Sequence, residues 1–310
     1  LQSLVSQQVK DFEVIVVEDG SSIPCKEITD HYNGVLDIHY YYKQNSGPGQ
    51  SRNYGAERSN GEYLIILDSD CILPEGYLAA IDRELSDAPA DAFGGPDRAH
   101  HSFTDIQKAI NYSMTSFFTT GGIRGGKKKM DKFYPRSFNM GIRRLVYAQL
   151  NGFSDMRFGE DIDFSIRIFK NGYQCRLFPN AWVYHKRRTD FRKFFKQVYN
   201  SGIARINLYK KYPDSLKLVH LLPAVFTAGV AFLLLASFIC IYSLIPILLY
   251  ALLVFIDSSF RNKSMKIGAY SILASFIQLI GYGTGFWRAW WRRCILGKDE
   301  FEAFKKNFYK

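Results

Sequence analysis

The chain has 310 residues, 47% hydrophobic and 22% charged, which is ample for a buried core and excludes an intrinsically disordered polymer. Its net charge of +11 is unevenly spread: residues 1–120 hold 8 Lys and Arg against 18 Asp and Glu, leaving 32 against 11, so the two parts stand at −10 and +21. The basic balance does not imply nucleic acid, because no nucleic-acid module is recognisable and the positive charges gather around apolar runs, where anionic lipid and substrate diphosphates account for them better.

Lys127, Lys128 and Lys129 read as a solvated loop. The five cysteines, Cys25, Cys71, Cys175, Cys240 and Cys294, have no close pair, which argues against a zinc or disulfide framework and fits a reducing compartment.

In chain order, Leu1 to Val9 reads as a helix running into a strand over Phe12–Val17. In a doubly wound sheet the first strand is central, so the sequence is expected to be an N-terminally truncated copy lacking about thirty residues of a preceding βαβ unit. Glu13–Val17 is a β-branched run, and Glu18–Ser22 behind it is a turn with helix N-cap chemistry. Pro48–Ser59 predicts a helix and Glu62–Leu67 the next buried strand. Pro74, at a first helical position, opens a helix over Glu75–Leu85. Apolar strands separated by helices predict an α/β fold with a mainly parallel sheet covered on both faces. Beyond residue 100 the pattern loosens into the Gly-rich stretch Gly121–Gly126 and the segment Phe133–Arg143. A helix over Glu160–Lys170 then ends at Asn171-Gly172.

Residues 190–213 set Phe191, Phe194, Phe195, Val198, Ile203 and Ile206 among Arg and Lys, which reads as amphipathic helices at a membrane surface or as a core-facing helix. From Leu221 to Ile256 there are 36 residues without Asp, Glu, Lys, Arg or His. One helix of that length would measure about 54 Å against a hydrocarbon core of roughly 30 Å, so two spans with a turn near Ile241–Ser243 are expected. A third charge-free run, Ile267–Trp287, leads to Trp290 and Trp291, which suit the headgroup belt. The expected organisation is a catalytic domain over 1–189, juxtamembrane helices over 190–216, a membrane region over 217–287 (spans near 218–239, 242–258 and 267–287) and a basic tail over 288–310. With the catalytic domain in the cytosol, Arg261, Lys263 and Lys266 face inward as the positive-inside rule wants, while three complete spans place the basic tail outside against it. A re-entrant third run, helped by Gly281, Gly283 and Gly285, would remove that conflict.

The chain holds two Asp-x-Asp pairs, Asp68/Asp70 and Asp161/Asp163. The first ends an apolar strand, where open α/β sheets place their ligand crevice, and two such carboxylates hold a hard divalent cation that can in turn hold a diphosphate. Taken alone, it equally suits a solvated strand-end turn. The second pair begins a helix, where acidic residues also serve the helix dipole.

The order and spacing of several segments resemble family 2 glycosyltransferases. Phe12–Ser22 looks like that family's strand and nucleotide-contacting acidic turn, Asn45–Asn53 its next donor-site segment, and Leu67-Asp-Ser-Asp70 its metal motif. Ser137-Phe-Asn-Met-Gly141 resembles the segment leading to the acceptor side, so that Asn139 and Met140 fall there. Gly152–Asp163 resembles the catalytic Glu-Asp region and Val183–Arg188 a later metal-site strand. The resemblance implies a GT-A fold and inverting transfer from a UDP- or GDP-sugar. By it, Asp19 contacts the nucleotide base, Arg52 the nucleotide or its phosphates, Asp68 the ribose or metal, Asp70 the metal, and Asp161 is the general base with Glu160 beside it. His185 completes the metal shell or is a hydrogen-bonded structural residue. Magnesium prefers oxygen, and a His ligand tilts the site towards manganese. Arg187 and Arg188 have the fork that grips a phosphate, or face anionic lipid. The family's usual paired Asp at the first turn is Glu18-Asp19 here.

Inversion needs a base opposite the leaving diphosphate, and a second carboxylate beside it raises one of the two pKa values. Together these readings point to a multi-pass enzyme of a bacterial inner membrane, its catalytic domain cytosolic and its acceptor lipid-linked or a growing glycan, since anchoring raises the effective concentration of a lipid-borne partner. A processive synthase is the competing enzyme reading, weakened by the absence of a Gln-x-x-Arg-Trp segment. An inactive nucleotide-sugar-binding scaffold has no need of both metal and base positions.

Overall fold

The order of elements follows the hydrophobic runs, and a computed structural model of the chain describes residues 1–121 and 133–300. The Gly-rich stretch beyond Gly121, Lys127–Lys129 and the last ten residues of the basic tail lie outside the described residues. The first part of the chain runs α1 (Gln2–Val5), β1 (Glu13–Asp19), α2 (Lys26–Asp30), β2 (Asp37–Lys43), α3 (Pro48–Ala56), β3 (Tyr63–Leu67), β4 (Cys71–Ile72), α4 (Tyr77–Asp87), β5 (Ala92–Gly94) and β6 (Asp97–Arg98). There follow α5 (Asp105–Thr115), α6 (Phe117–Thr120), β7 (Asn139–Arg143), α7 (Arg144–Gln149), α8 (Glu160–Lys170), β8 (Cys175–Leu177) and β9 (Val183–His185). The chain continues as α9 (Phe191–Lys211), α10 (Leu222–Ala236), α11 (Ile245–Asn262) and α12 (Met265–Trp290).

Of these residues, 1–98 and 133–185 form one compact unit, and 99–121 and 186–300 a second. Residues 99–121, expected in the first domain, therefore group with the C-terminal helices. In the first unit β1 and β2 pair in parallel, β3-β7-β5-β8 make a four-stranded sheet, and β4-β9-β6 a three-stranded one. The sheets are parallel and mixed, as expected of this fold class: β1-β2, β5-β8 and β6-β9 pair in parallel, while β7 runs antiparallel to both β3 and β5, and β9 antiparallel to β4.

Side chains alternate across β3 as a strand requires. Leu64 and Ile66 pack with Met140, Ile142, Phe153, Phe164 and Ile168 on one face, and Tyr63, Ile65 and Leu67 with Tyr77, Ile81, Phe93 and Phe178 on the other. The helices that cover the two faces are thus α8 and α4. Gly141 lies opposite Phe93 in the register, and a Cβ there would come within 2.0 Å of the Phe93 ring, which itself stacks on Phe178 at 4.5 Å. Only glycine leaves room for that stack.

Several element ends differ from expectation for local reasons. Pro74 accepts the Tyr77 N–H in a turn, so α4 begins only at Tyr77. Glu18 and Asp19 continue β1, and α2 starts later, with Glu18 Oε2 accepting the Cys25 N–H at 2.8 Å. Helix α8 runs as expected from Glu160 to Lys170, and Gly172, at φ +79°, closes it by donating to Phe169 O.

The second unit is helical. Thr104 and Gln107 form a capping box on α5. Helix α12 is continuous for 26 residues through Gly281, Gly283 and Gly285 and contacts α5, α9, α10 and α11. Those glycines permit close approach: a Cβ on Gly285 would lie 2.1 Å from Tyr199 O, and one on Gly202 2.1 Å from Tyr282 O. Residues 191–211 form one helix, and Phe194, Val198, Ile203 and Ile206 on it are buried. Phe194 and Val198 pack there against Ile110, Met114 and Ile267, while Phe195 is exposed. By contrast, Val225, Phe232, Leu235, Phe238, Ile239, Leu248, Leu249 and Leu252 on α10, α11 and their connection are exposed.

Candidate active site

Two carboxylate groups meet at one guanidinium. Arg52 lies in the middle of α3, which Pro48 opens directly behind Gly47, a residue at φ +94°. Its Nη2 is 3.0 Å from Asp68 Oδ1 at the end of β3, and its Nη1 is 2.9 Å from Glu160 Oε1 at the start of α8. Burial works against the charge on Arg52, but Asp68 and Glu160 outweigh it and hold the guanidinium cationic. Burial, then the neighbouring Asp161, pushes the Glu160 carboxyl up to about 7 despite Arg52. The upward shift expected for one member of the Glu-Asp pair therefore falls on Glu160. Asp161 is largely buried, with Oδ2 3.3 Å from Arg136 Nη1.

The frame that holds these groups is built by neighbouring residues. Asn53, next to Arg52, accepts the Phe153 N–H at 2.8 Å and the Tyr147 hydroxyl at 2.6 Å, and donates to Phe153 O at 2.9 Å. Arg167 on α8 donates to Leu150 O and Gly152 O, and to Asp163, which also accepts from Ser154. The loop 150–154 is thereby tied to α3 on one side and α8 on the other. Asp163, fully buried in this network, is the structural member of the second Asp-x-Asp pair.

Across the strand ends, His185 Nε2 lies 3.3 Å from Asp70 Oδ1 and 3.9 Å from Asp68 Oδ2. The ring stacks on Phe138 at 4.5 Å, and its Nδ1 is buried with no hydrogen-bond partner among the described residues. Asp70, Cys71 and His185 each offer one ligand atom, and the three atoms lie within 4.8 Å of one another. An oxygen, a nitrogen and a sulfur so placed, beside an orphaned buried nitrogen, fit a divalent cation. Burial, then Asp68 and Asp70, pushes the Cys71 thiol up to about 12.

Asp19 sits at the end of β1. Its Oδ1 is 2.5 Å from Lys43 Nζ and accepts the Ser46 N–H, while Oδ2 accepts the Gly47 N–H, each at 2.9 Å. Burial works to raise this carboxyl, but Lys43 and the two backbone donors outweigh it and hold it below the usual range. It thus secures the turn that leads into α3.

Residues 1–150 match the model described as "Glycosyl transferase family 2". The chain carries a family 2 glycosyltransferase domain. It is 36% identical over 119 residues to an uncharacterized glycosyltransferase of Rickettsia felis, a match covering 38% of this chain and 19% of that protein. It is 24% identical over 232 residues to the GalNAc(5)-diNAcBac-PP-undecaprenol beta-1,3-glucosyltransferase of Campylobacter jejuni, covering 72% and 68%. The matched part spans 10% to 46% of the first four curated relatives. A mannosyltransferase of Pyrobaculum calidifontis, solved with GDP-Man and Mn2+, aligns over 90% of this chain and 81% of its own at TM-score 0.59 and 17% identity, which shows a shared GT-A fold.

Within this glycosyltransferase domain the structure gathers Arg52, Asp68, Asp70, Glu160 and His185 through direct contacts. Two other expected site residues are occupied internally. Asn139, 1% exposed, accepts from Tyr77 Oη and donates to Ala181 O, and Met140 is fully buried, because β7 runs through the middle of the sheet. Both side chains are thus committed to the interior of the sheet. Arg187 and Arg188 belong to the second unit, where buried Arg187 donates to Asn111 Oδ1 at 2.9 Å and Arg188 is exposed. Cys71, Lys43 and Arg136 acquire partners that no local pattern marks in advance. The one available signal was the position of Cys71 directly after Asp70.

Proposed function

We propose that this chain is a membrane-attached, metal-assisted inverting glycosyltransferase that moves a sugar from a nucleoside diphosphate donor to a hydroxyl of a lipid-linked or glycan acceptor. The observation that carries the reading is the shared guanidinium of Arg52, which brings the strand-end carboxylates and the Glu160-Asp161 step to one site. Asp161 takes the acceptor hydroxyl proton as that oxygen attacks the anomeric carbon. Arg136 orients Asp161, and Arg52 fixes Glu160 beside it. Asp70 and His185, with Asp68 adjacent, would hold a Mn2+ or Mg2+ ion, which when bound neutralises charge on the departing diphosphate. Asp19 and Lys43 shape the entrance to α3 where the nucleotide would bind.

The printed name of the Campylobacter jejuni relative contains an undecaprenol diphosphate, which supports a lipid-linked acceptor. Membrane attachment is supported by two helices long and apolar enough to cross, Ile241–Asn262 and Met265–Ile295. Helix α10, at 15 residues or about 22 Å, falls short of a full crossing, so α10 and α11 form an apolar hairpin that enters the bilayer. The catalytic unit would face the cytosol of a bacterial inner membrane, where nucleotide sugars are made. Purified protein supplied with Mn2+ and a panel of nucleotide sugars is expected to release nucleoside diphosphate, and Asp161→Asn to abolish release while leaving donor binding intact. No release with any donor and acceptor from a correctly folded sample would overturn the proposal.

A further inference from the structure

The metal reading above uses Asp70 and His185, yet the structure adds a third donor of different chemistry. Cys71 on β4 lies directly opposite His185 on β9 in an antiparallel pair, so their side chains leave the same face of the ribbon. Cys71 Sγ is 3.5 Å from Phe138 O, and His185 stacks on the Phe138 ring, so one residue fixes both donors from behind. Asp70, adjacent in sequence, completes the triad within 4.8 Å. Asp68, the other strand-end carboxylate, is engaged by Arg52 instead.

We infer that Cys71 is a ligand of the same cation as Asp70 and His185, and that this centre therefore prefers borderline and soft divalent ions such as Co2+, Zn2+ and Cd2+ over Mg2+. A mixed oxygen, nitrogen and sulfur set is the donor chemistry of such ions, whereas Mg2+ takes oxygen almost exclusively. Binding replaces the S–H bond of Cys71 with a metal–sulfur bond, and the thiol proton leaves to solvent. Manganese, between these classes, remains able to serve a diphosphate. Zinc or cadmium, held by the thiolate, would be retained and would compete with it. The inference rests on the metal-assisted reading but is separable from it.

The test is a cobalt titration of the purified full-length chain followed by absorption. Wild type is expected to show cobalt d–d bands together with a sulfur-to-cobalt charge-transfer band in the near ultraviolet. Cys71→Ser is expected to lose the charge-transfer band and keep the d–d bands, since Asp70 and His185 still hold the ion, and Cys71→Ala should behave alike. Equilibrium competition should show Cd2+ affinity falling by about tenfold or more in Cys71→Ser while Mn2+ affinity changes by less than about threefold. Bound cobalt without a charge-transfer band in wild type overturns the role of Cys71 and leaves the metal reading standing. A band that survives in Cys71→Ser assigns the sulfur to another cysteine and likewise overturns it. Failure of any divalent ion to bind, with sugar transfer undiminished in chelator, removes the metal reading and this inference together.

Discussion

Arg52 Nη1 stands 2.9 Å from Glu160 Oε1, joining residues 108 apart in the chain, while its other terminal nitrogen holds Asp68. A lysine has one compact charge and cannot span both carboxylates as the planar fork does. Arg52→Lys is expected to retain the fold and lower kcat/KM about tenfold or more, and Arg52→Leu to lower stability more at about pH 8 than at about pH 5, where the Glu160 carboxyl keeps its proton and needs no cation. Chemical denaturation beside a product-release assay measures both. Wild-type turnover in Arg52→Leu would contradict this account.

The raised Glu160 carboxyl has a signed consequence for stability. Below about 4.5 the group is neutral folded and unfolded and contributes nothing; between there and about 7 only the folded state keeps the proton, so stability declines as pH rises, and above about 7 the decline is complete. Glu160→Gln removes this term. Its melting temperature relative to wild type is therefore expected to climb between about pH 5 and about pH 8. A gap that stays level across that interval would show that Glu160 titrates normally.

Gly141 admits no side chain beneath Phe93. Gly141→Val is expected to destabilise the first unit by at least about 1–3 kcal/mol, the usual penalty of overpacking, and more where the Phe93–Phe178 stack must open. Near-ultraviolet dichroism and thermal melts would register it. A stability equal to wild type would mean that the ring moves aside freely.

The α10–α11 hairpin gives a test of attachment. Phe238 and Ile239 are 88% and 92% exposed at its tip. Replacing both with Glu puts two charges where hydrocarbon is proposed, at roughly 2.5–3.5 kcal/mol for each buried acidic group. Flotation with vesicles of anionic phospholipid should show reduced recovery, whereas Lys193→Glu on the solvent side of α9 should change it less. Equal flotation of the tip variant and wild type would argue against hairpin insertion.

What could be read from the sequence was whatever depends on neighbours along the chain. Helix α8 ends where Asn171-Gly172 said it would, and β3 alternates as its apolar run required. The start of α4 differs because Pro74 serves a turn as readily as a first helical position. The run over 190–213 was ambiguous because an apolar stripe looks the same whether lipid or another helix covers it. The partners of Arg52, Asp161 and Asn139 depend on strand order and register, which β7 sets by running antiparallel, and no local pattern records that. Cys71 and His185 are brought face to face by the same kind of long-range pairing.

Asn53 carries a consequence of its own. One carboxamide fastens the backbone of Phe153, and the residue before it on α3, Arg52, grips Glu160, so the part that would recognise a nucleotide and the part that would deprotonate an alcohol share a hinge pin. Exchanging either part for that of a related enzyme would shift the other out of alignment. A chimera that changes acceptor preference should therefore keep α3 and the loop 150–154 from the same parent.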